Sequence, residues 1–199
     1  MVIIGTGGMA KDIVGSLARD YRHKVFYFYN DRSDYAEKLF VNRYPIIRNI
    51  GQLQKHFTQH GYDFVSAIAN PLLRMRMNDK IREIGGNLTT VIAMKENVSE
   101  FTEIEAGTII QPDIVISSEV FVGEGCFFNC GTIIGHDVRI GKYTSFGPGV
   151  RVLGNAEIGE FSYIGCNAII APGVKIGKKV RIGMAKVITE DVPDGSKIV

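Results

Sequence analysis

From Val98 onward every sixth residue is apolar, without a break: Val98, Ile104, Ile110, Ile116, Val122, Phe128, Ile134, Ile140, Phe146, Val152, Ile158, Ile164, Ile170, Ile176, Ile182 and Ile188. Four residues after most of these stands a small or β-branched side chain, among them Thr108, Cys126, Thr132, Thr144, Ala156, Ser162 and Ala168. Glycine often follows the apolar residue directly, as at Gly123, Gly135, Gly141, Gly147, Gly159, Gly165, Gly177 and Gly183. An α-helix repeats about every 3.6 residues and a strand about every two, so neither is the repeating unit here. A period of six fits a chain that turns a corner every six residues, with short parallel strands as the sides of a prism. The apolar residue points inward, the small residue shares the narrow interior, and glycine suits the backbone angles of a corner. Three sides make a coil of about eighteen residues, and the tract holds roughly five coils stacked about 4.8 Å apart.

The N-terminal part follows another pattern. Residues 2–4 read as a short buried strand, and Gly5-Thr6-Gly7-Gly8 as a turn. Ala10, Ile13, Val14, Leu17 and Ala18 then fall at helical spacing. Further strands are expected at 25–29, 64–69 and 88–92, with helices around Ile50, Leu53 and Phe57 and from Pro71. The inward face of the Pro71 helix is expected to be Leu73, Met77, Ile81 and Ile84. Strands alternating with helices imply a small parallel α/β sheet of Rossmann-like type. The boundary is expected near residues 93–97, giving an α/β domain over 1–94 and a β-helix over 95–199.

Gly5-Thr6-Gly7-Gly8-Met9-Ala10 has the G-x-G-x-x-A form between a strand and a helix. Glycines there let a phosphate approach backbone amides at the helix N-terminus, where the dipole favours negative charge. Asp31 follows the second expected strand, where an acidic residue would meet a ribose hydroxyl. The domain is too short for two mononucleotide halves, so a mononucleotide or nucleotide-sugar site fits better than NAD. The same glycines also suit a turn that serves chain geometry alone.

Of the four histidines, His136 alone lies in the repeat tract, two residues after the inward Ile134 and just before Asp137. That places its side chain outside the prism near a corner. A neutral imidazole there can take a proton from an attacking amine or hydroxyl, and a neighbouring carboxylate can raise its basicity and fix its tautomer. A lone surface histidine is more often only a solvated side chain. One histidine in the tract argues against a three-histidine zinc site, and no metal is expected. The three cysteines, Cys126, Cys130 and Cys166, lack C-x-x-C spacing and read as reduced thiols. A net charge of +2 with interspersed signs gives no basic stripe for nucleic acid. No apolar run has the length of a membrane span, and Met1-Val2-Ile3-Ile4-Gly5 lacks a signal peptide's basic flank. The expected location is the cytoplasm.

Over nearly its whole length the chain resembles the bacterial sugar O- and N-acyltransferases of the sialic-acid O-acetyltransferase and bacillosamine-pathway amino-sugar N-acetyltransferase type. The residues that carry the likeness are Ile3-Ile4-Gly5-Thr6-Gly7-Gly8-Met9-Ala10-Lys11, Asn30-Asp31, Ala67-Ile68-Ala69-Asn70 with Arg74, Phe128-Asn129, Ile134-Gly135-His136-Asp137, Pro148-Gly149, Gly154-Asn155 and Asp191-Val192-Pro193-Asp194-Gly195. The resemblance implies a left-handed prism and a homotrimer, with acetyl-CoA as acyl donor lying in the groove between subunits. It implies that His136 is the general base and Asp137 its helper, acting without an acyl-enzyme. The Gly154 amide would polarise the thioester, Ser145, Gly165 and Cys166 would line the cofactor groove, and Asn129 would sit near the acceptor sugar. Gly5, Thr6, Gly7, Gly8, Asn30, Asp31, Asn70 and Arg74 would hold the nucleotide of a nucleotide-linked sugar. Two positions depart from the family pattern: Met9 and Ser145 stand where relatives carry histidine. The implied activity is acetylation of an amino sugar, with O-acetylation of a free sugar such as a sialic acid, or a non-catalytic nucleotide-sugar-binding trimer, as alternatives.

Overall fold

A computed structural model describes residues 1–20 and 25–199, and the side chains of Leu17 and Ala18, expected on the inward face of the first helix, lie outside the described residues. The chain divides into two compact units, Met1–Thr89 and Thr90–Val199. Among the described residues no helix is long and apolar enough to cross a membrane.

The first unit runs β1 (Val2–Ile4), α1 (Gly8–Asp20), β2 (Tyr27–Tyr29), β3 (Leu39–Phe40), β4 (Tyr44–Ile47), α2 (Ile50–His60), β5 (Asp63–Ser66), α3 (Pro71–Glu83) and β6 (Asn87–Leu88). Its sheet has the order β3-β4-β2-β1-β5-β6, parallel except for the β3–β4 pair. From the central β1 the chain builds outward first toward β2 and then, on the other side, toward β5. The strand order therefore reverses at β1, and a crevice forms beyond the carboxyl ends of the strands. Val2, Ile4, Tyr29, Ile47, Leu53, Phe57, Phe64, Ile81 and Leu88 form a continuous buried cluster in this unit.

Four details differ from the sequence pattern, the first being that β3 and β4 were not among the expected strands. The expected strand over 88–92 is two strands: Asn87–Leu88 closes the first sheet, while Val91–Ile92 pairs with Ile109–Ile110 in the second unit. The division between units thus falls at Thr89–Thr90, a few residues before 94–95. On α3 Arg74, Asn78 and Ile81 are buried and Met77 and Ile84 pack partly buried against the core cluster, whereas Leu73 is half exposed. Apolar spacing misleads at Leu73 because the crevice, and not the core, lies against it.

The second unit is a left-handed parallel β-helix whose two-residue strands form three sheets. Up to the last coil each strand pairs in register with the strand eighteen residues on, as Ile116↔Ile134 and Ile134↔Val152, and Ile182 then pairs with Ile198 sixteen residues on. Strands such as Phe127–Phe128 and Ser145–Phe146 make the first side, Ile133–Ile134 and Arg151–Val152 the second, and Arg139–Ile140 and Glu157–Ile158 the third. The expected inward residues from Ile110 to Ile188 are all buried, while Val98 and Ile104, where the stack begins, are partly covered. Interior hydroxyls are satisfied by carbonyls of the next coil: Thr144 donates to Gly159 O at 3.0 Å and Ser162 to Gly177 O at 2.9 Å.

The glycines that follow the inward residues have a different purpose from the one expected. They do not adopt positive φ. A Cβ at Gly123 would lie 2.7 Å from Lys142 N, and one at Gly141 2.5 Å from Glu160 N, so they are required by the close approach of the next coil. The left-handed conformation occurs two residues later, at 107, 113 and every sixth residue to 185, with φ between 55° and 75°. Asp113, Asp137, Asn155 and Asn167 suit those positions because short polar side chains tolerate that region.

One histidine in the first unit titrates unusually. His56 on α2 is buried against Tyr27, with ring centroids 4.2 Å apart, and lies 4.7 Å from His60. Burial, and then the charge of His60, push its pKa below the ordinary histidine value. The fold therefore favours the neutral ring, and below about pH 6.5 the unfolded chain takes up a proton first. Stability carried by neutral His56 is complete above that pH and is lost as pH falls toward the lowered value. Urea unfolding at pH 7.5 and 5.5 should show the loss, and a His56→Phe variant should show less of it.

Candidate functional site

Two sites emerge, one in each unit. In the first unit β1 delivers the chain into Gly5, whose φ is +106°; a Cβ there would meet Ala67 O at 2.9 Å. Gly5 is thus needed for the chain's own packing, the geometric reading left open by the sequence. Gly7 and Gly8 differ: they are exposed, and a Cβ would meet nothing within 4 Å. Space is left where α1 begins, the place where an anionic group can approach backbone amides.

The turn borders a cleft of about 560 Å³ whose walls include Thr6, Asn30, Asp31, Tyr35, Ile68 and Met77. Asn30 is mainly a clasp: its Nδ2 donates to Thr6 Oγ1 at 2.6 Å and its Oδ1 accepts from Arg32 N at 3.0 Å. Asp31 Oδ2 accepts from Tyr29 OH at 2.9 Å and from Lys80 Nζ at 3.2 Å. Partial burial pushes the Asp31 pKa up, but the Tyr29 hydrogen bond and the bond and charge of Lys80 outweigh it and hold the carboxyl below its usual value. Burial and the neighbouring Asp31 carboxylate keep Tyr29 protonated. An ionised Asp31 at the cleft wall can only accept, so it suits hydroxyl or N–H donors of a ligand.

Asn70 and Arg74 are not in the cleft wall. Asn70 caps α3, accepting from Leu73 N at 3.0 Å. Arg74 is 1% exposed and donates to Ile68 O at 2.8 Å. Arg74, expected to hold the nucleotide, is placed instead to brace the β5–α3 loop that supplies Ala67 and Ile68 to the wall. Tyr29, Tyr35, Leu73, Met77 and Lys80 were missed. Leu73, Met77 and Lys80 share one helical face, a legible signal; Tyr35 sits in an aperiodic stretch and has none.

In the second unit His136 and Asp137 occupy the corner between the second and third sides. Asp137 has φ +59°, and its Oδ2 lies 2.7 Å from His136 Nδ1. A carboxylate only accepts, so Nδ1 carries the hydrogen, and in the neutral ring Nε2 keeps its lone pair. The side chains are 63% and 52% exposed, open to a substrate. Gly154 lies one coil on, with Asn155 N donating to His136 O at 2.9 Å. A Cβ on Gly154 would fall 2.7 Å from both Cε1 and Nε2 of His136, so the imidazole rests on the bare Cα. Among the described residues the Gly154 amide has no acceptor. A base with a free Nε2 and an uncommitted N–H donor thus sit side by side.

The other expected groove residues lie elsewhere in the coil. Ser145 is buried on the first side, and Asn129, Gly165 and Cys166 sit at or beside the corner between the first and second sides. A single chain does not bring them to His136. A separate groove of about 670 Å³ runs on the third side, lined in part by Phe121, Arg139, Glu157, Lys175 and Pro193.

Residues 1–81 match the PglD N-terminal domain family, and residues 119–154 and 155–190 match the six-repeat bacterial transferase hexapeptide family. GDP-perosamine N-acetyltransferase of Escherichia coli O157:H7 is 35% identical over 83 residues, 42% of this chain and 38% of that protein. That match spans well under half of the relative. Across nearly the whole chain the fold is similar to a histidine-to-asparagine variant of perosamine N-acetyltransferase from Caulobacter crescentus in complex with CoA and GDP-perosamine, at 25% identity, 98% and 91% coverage of the two chains and a TM-score of 0.88. It is also similar to the acetyltransferase domain of PglB from Neisseria gonorrhoeae FA1090 in complex with acetyl coenzyme A, at 25% identity, 98% and 93% coverage and a TM-score of 0.87.

The packing of His136 on Gly154 has a direct consequence. In Gly154→Ala the methyl must displace the imidazole, the more movable partner. The His136 ring resonances in a proton–nitrogen correlation spectrum should shift while the Asp137 backbone amide stays within its native environment.

Proposed function

We propose that this chain, which joins a match to the PglD N-terminal domain family with matches to the bacterial transferase hexapeptide family, transfers an acetyl group from acetyl-CoA to the amine of a nucleotide-linked amino sugar. The observation that carries the mechanism is the trio of Asp137, His136 and Gly154 on one prism edge. Asp137 holds the Nδ1 hydrogen. His136 Nε2 removes the proton from the acceptor nitrogen as that nitrogen bonds to the thioester carbon. The Gly154 N–H donates to the carbonyl oxygen as it gains charge. The carbon–sulfur bond then breaks, and the sulfur leaves with the proton returned from His136. No covalent enzyme intermediate is needed, because amine and thioester meet directly.

The cleft of the first unit, with open glycines and an ionised Asp31, is the place for the nucleotide. A guanosine-linked amino sugar is favoured by two of the relatives, one named for GDP-perosamine and the other in complex with CoA and GDP-perosamine.

The split of the candidate residues over two edges supports a shared site. Both edges bound the second side, whose outer face carries Val115, Ile133, Arg151, Ile169 and Val187, all but Ile169 exposed. Packing that face, apolar except for Arg151, around a three-fold axis would set the His136 edge of one copy against the Cys166 edge of the next. An Ile133→Asp variant should sediment as a monomer and lose turnover while still binding nucleotide through the first unit.

Thiol release from acetyl-CoA, measured with GDP-, UDP- and dTDP-linked 4-amino sugars and free sialic acid, tests the reaction. Release is expected with a nucleotide-linked amine, and His136→Ala should lower turnover by about two to four orders of magnitude. Near wild-type turnover in that variant would falsify the general-base role. Silence across the panel, with nucleotide sugar still bound, would favour a binding protein over an enzyme.

A further inference from the structure

We propose that Tyr35, backed by Arg48, is the stacking shelf for the nucleobase of the nucleotide-linked substrate; this rests on the nucleotide-sugar reading of the first-unit cleft. Tyr35 lies in the loop between β2 and β3 and forms part of the cleft wall. Arg48 directly follows β4 and is not a wall residue. Its Cζ stands 5.5 Å from the Tyr35 ring centroid. A cation thus lies over the ring of a residue that borders the cleft.

The ring is held from several directions. Tyr35 OH donates to Glu37 Oε2 at 3.0 Å. Arg48 Nη2 donates to Arg32 O at 3.0 Å and also to Tyr35 O, fastening the loop on both sides of the bend. Arg48 Nη1 is buried and has no conventional partner among the described residues. A guanidinium N–H without an oxygen acceptor, lying against a tyrosine, finds its partner in the ring's π face. The arrangement fixes the plane of the ring before any ligand arrives, which reduces the ordering cost of binding.

The rest of the wall suits a flat heteroaromatic group. Ile68, Leu73 and Met77 contribute aliphatic surface, and Leu73 is 50% exposed, an apolar side chain left without cover. Asp31, an acceptor, is in the same wall and offers a place for donor groups of the base or ribose. Stacking has no preference for one base by itself, so discrimination between bases belongs to the polar wall and not to Tyr35.

Calorimetric titration of the full chain with GDP and with UDP tests the assignment. Tyr35→Phe keeps the ring and should bind the preferred nucleotide within about twofold of wild type. Tyr35→Leu should bind about tenfold more weakly, or worse. Arg48→Met should weaken binding several-fold in the wild-type background and have no further effect in the Tyr35→Leu background, and the KM for acetyl-CoA should not move. Tyr35→Leu binding as tightly as wild type would overturn the shelf while leaving the nucleotide reading intact. Equal losses from Arg48→Met in both backgrounds would also overturn it, since Arg48 would then be a loop strut unrelated to the ring. A wild-type chain that binds neither nucleotide would overturn the nucleotide reading itself.

Discussion

Successive coils of the β-helix approach so closely that a single methyl at many corners would strike the backbone of the next turn. A Cβ at Gly135 would lie 2.7 Å from Gly154 N, and the same crowding recurs at Gly123 and Gly141. Backbone hydrogen bonds between coils require this spacing, because every two-residue strand pairs only with its neighbours above and below. The left-handed residues, the small interior side chains and their hydroxyl-to-carbonyl bonds all follow from closing a narrow triangle at that pitch. Each coil is stabilised by its neighbours and not by distant parts of the chain.

The same crowding makes a corner a suitable place for chemistry. A side chain two residues beyond the inward position leaves the prism and lies along the next coil. Glycine at 154 gives the His136 ring a flat seat, and the left-handed turn at Asp137 brings a carboxylate back to Nδ1. The base is oriented by local backbone geometry repeated along the whole tract. Little else in that edge needed to be specialised beyond the choice of histidine, aspartate and glycine at three positions.

The first unit solves a different problem, that of keeping a crevice open at the strand ends of a small sheet. Its polar residues divide accordingly. Asn70 and Arg74 are spent on holding loops in place, Asn30 does so from within the cleft wall, and Asp31, Gly7 and Tyr35 border the cleft. Arg74 shows why side-chain type alone misleads: a buried arginine donating to loop carbonyls looks, in sequence, the same as one that meets a phosphate.

The sequence by itself determined the prism, its inward residues and the candidate base, since a period of six tolerates no other unit and a corner position follows from counting. It also determined the strand–turn–helix at Gly5 and most of the α/β order. It could not divide residues 88–92 between two sheets, because Leu88 and Val91 are equally apolar and only strand pairing separates them. Nor could it reveal the reason for the corner glycines, which depends on atoms eighteen residues away. Leu73 on α3 was misread because apolar spacing does not distinguish a core from an open cleft. The seat of His136 on Gly154, the π contact of Arg48 with Tyr35 and the division of candidate residues between two edges were decided by tertiary structure alone. Each depends on a distance between parts of the chain that no local pattern encodes.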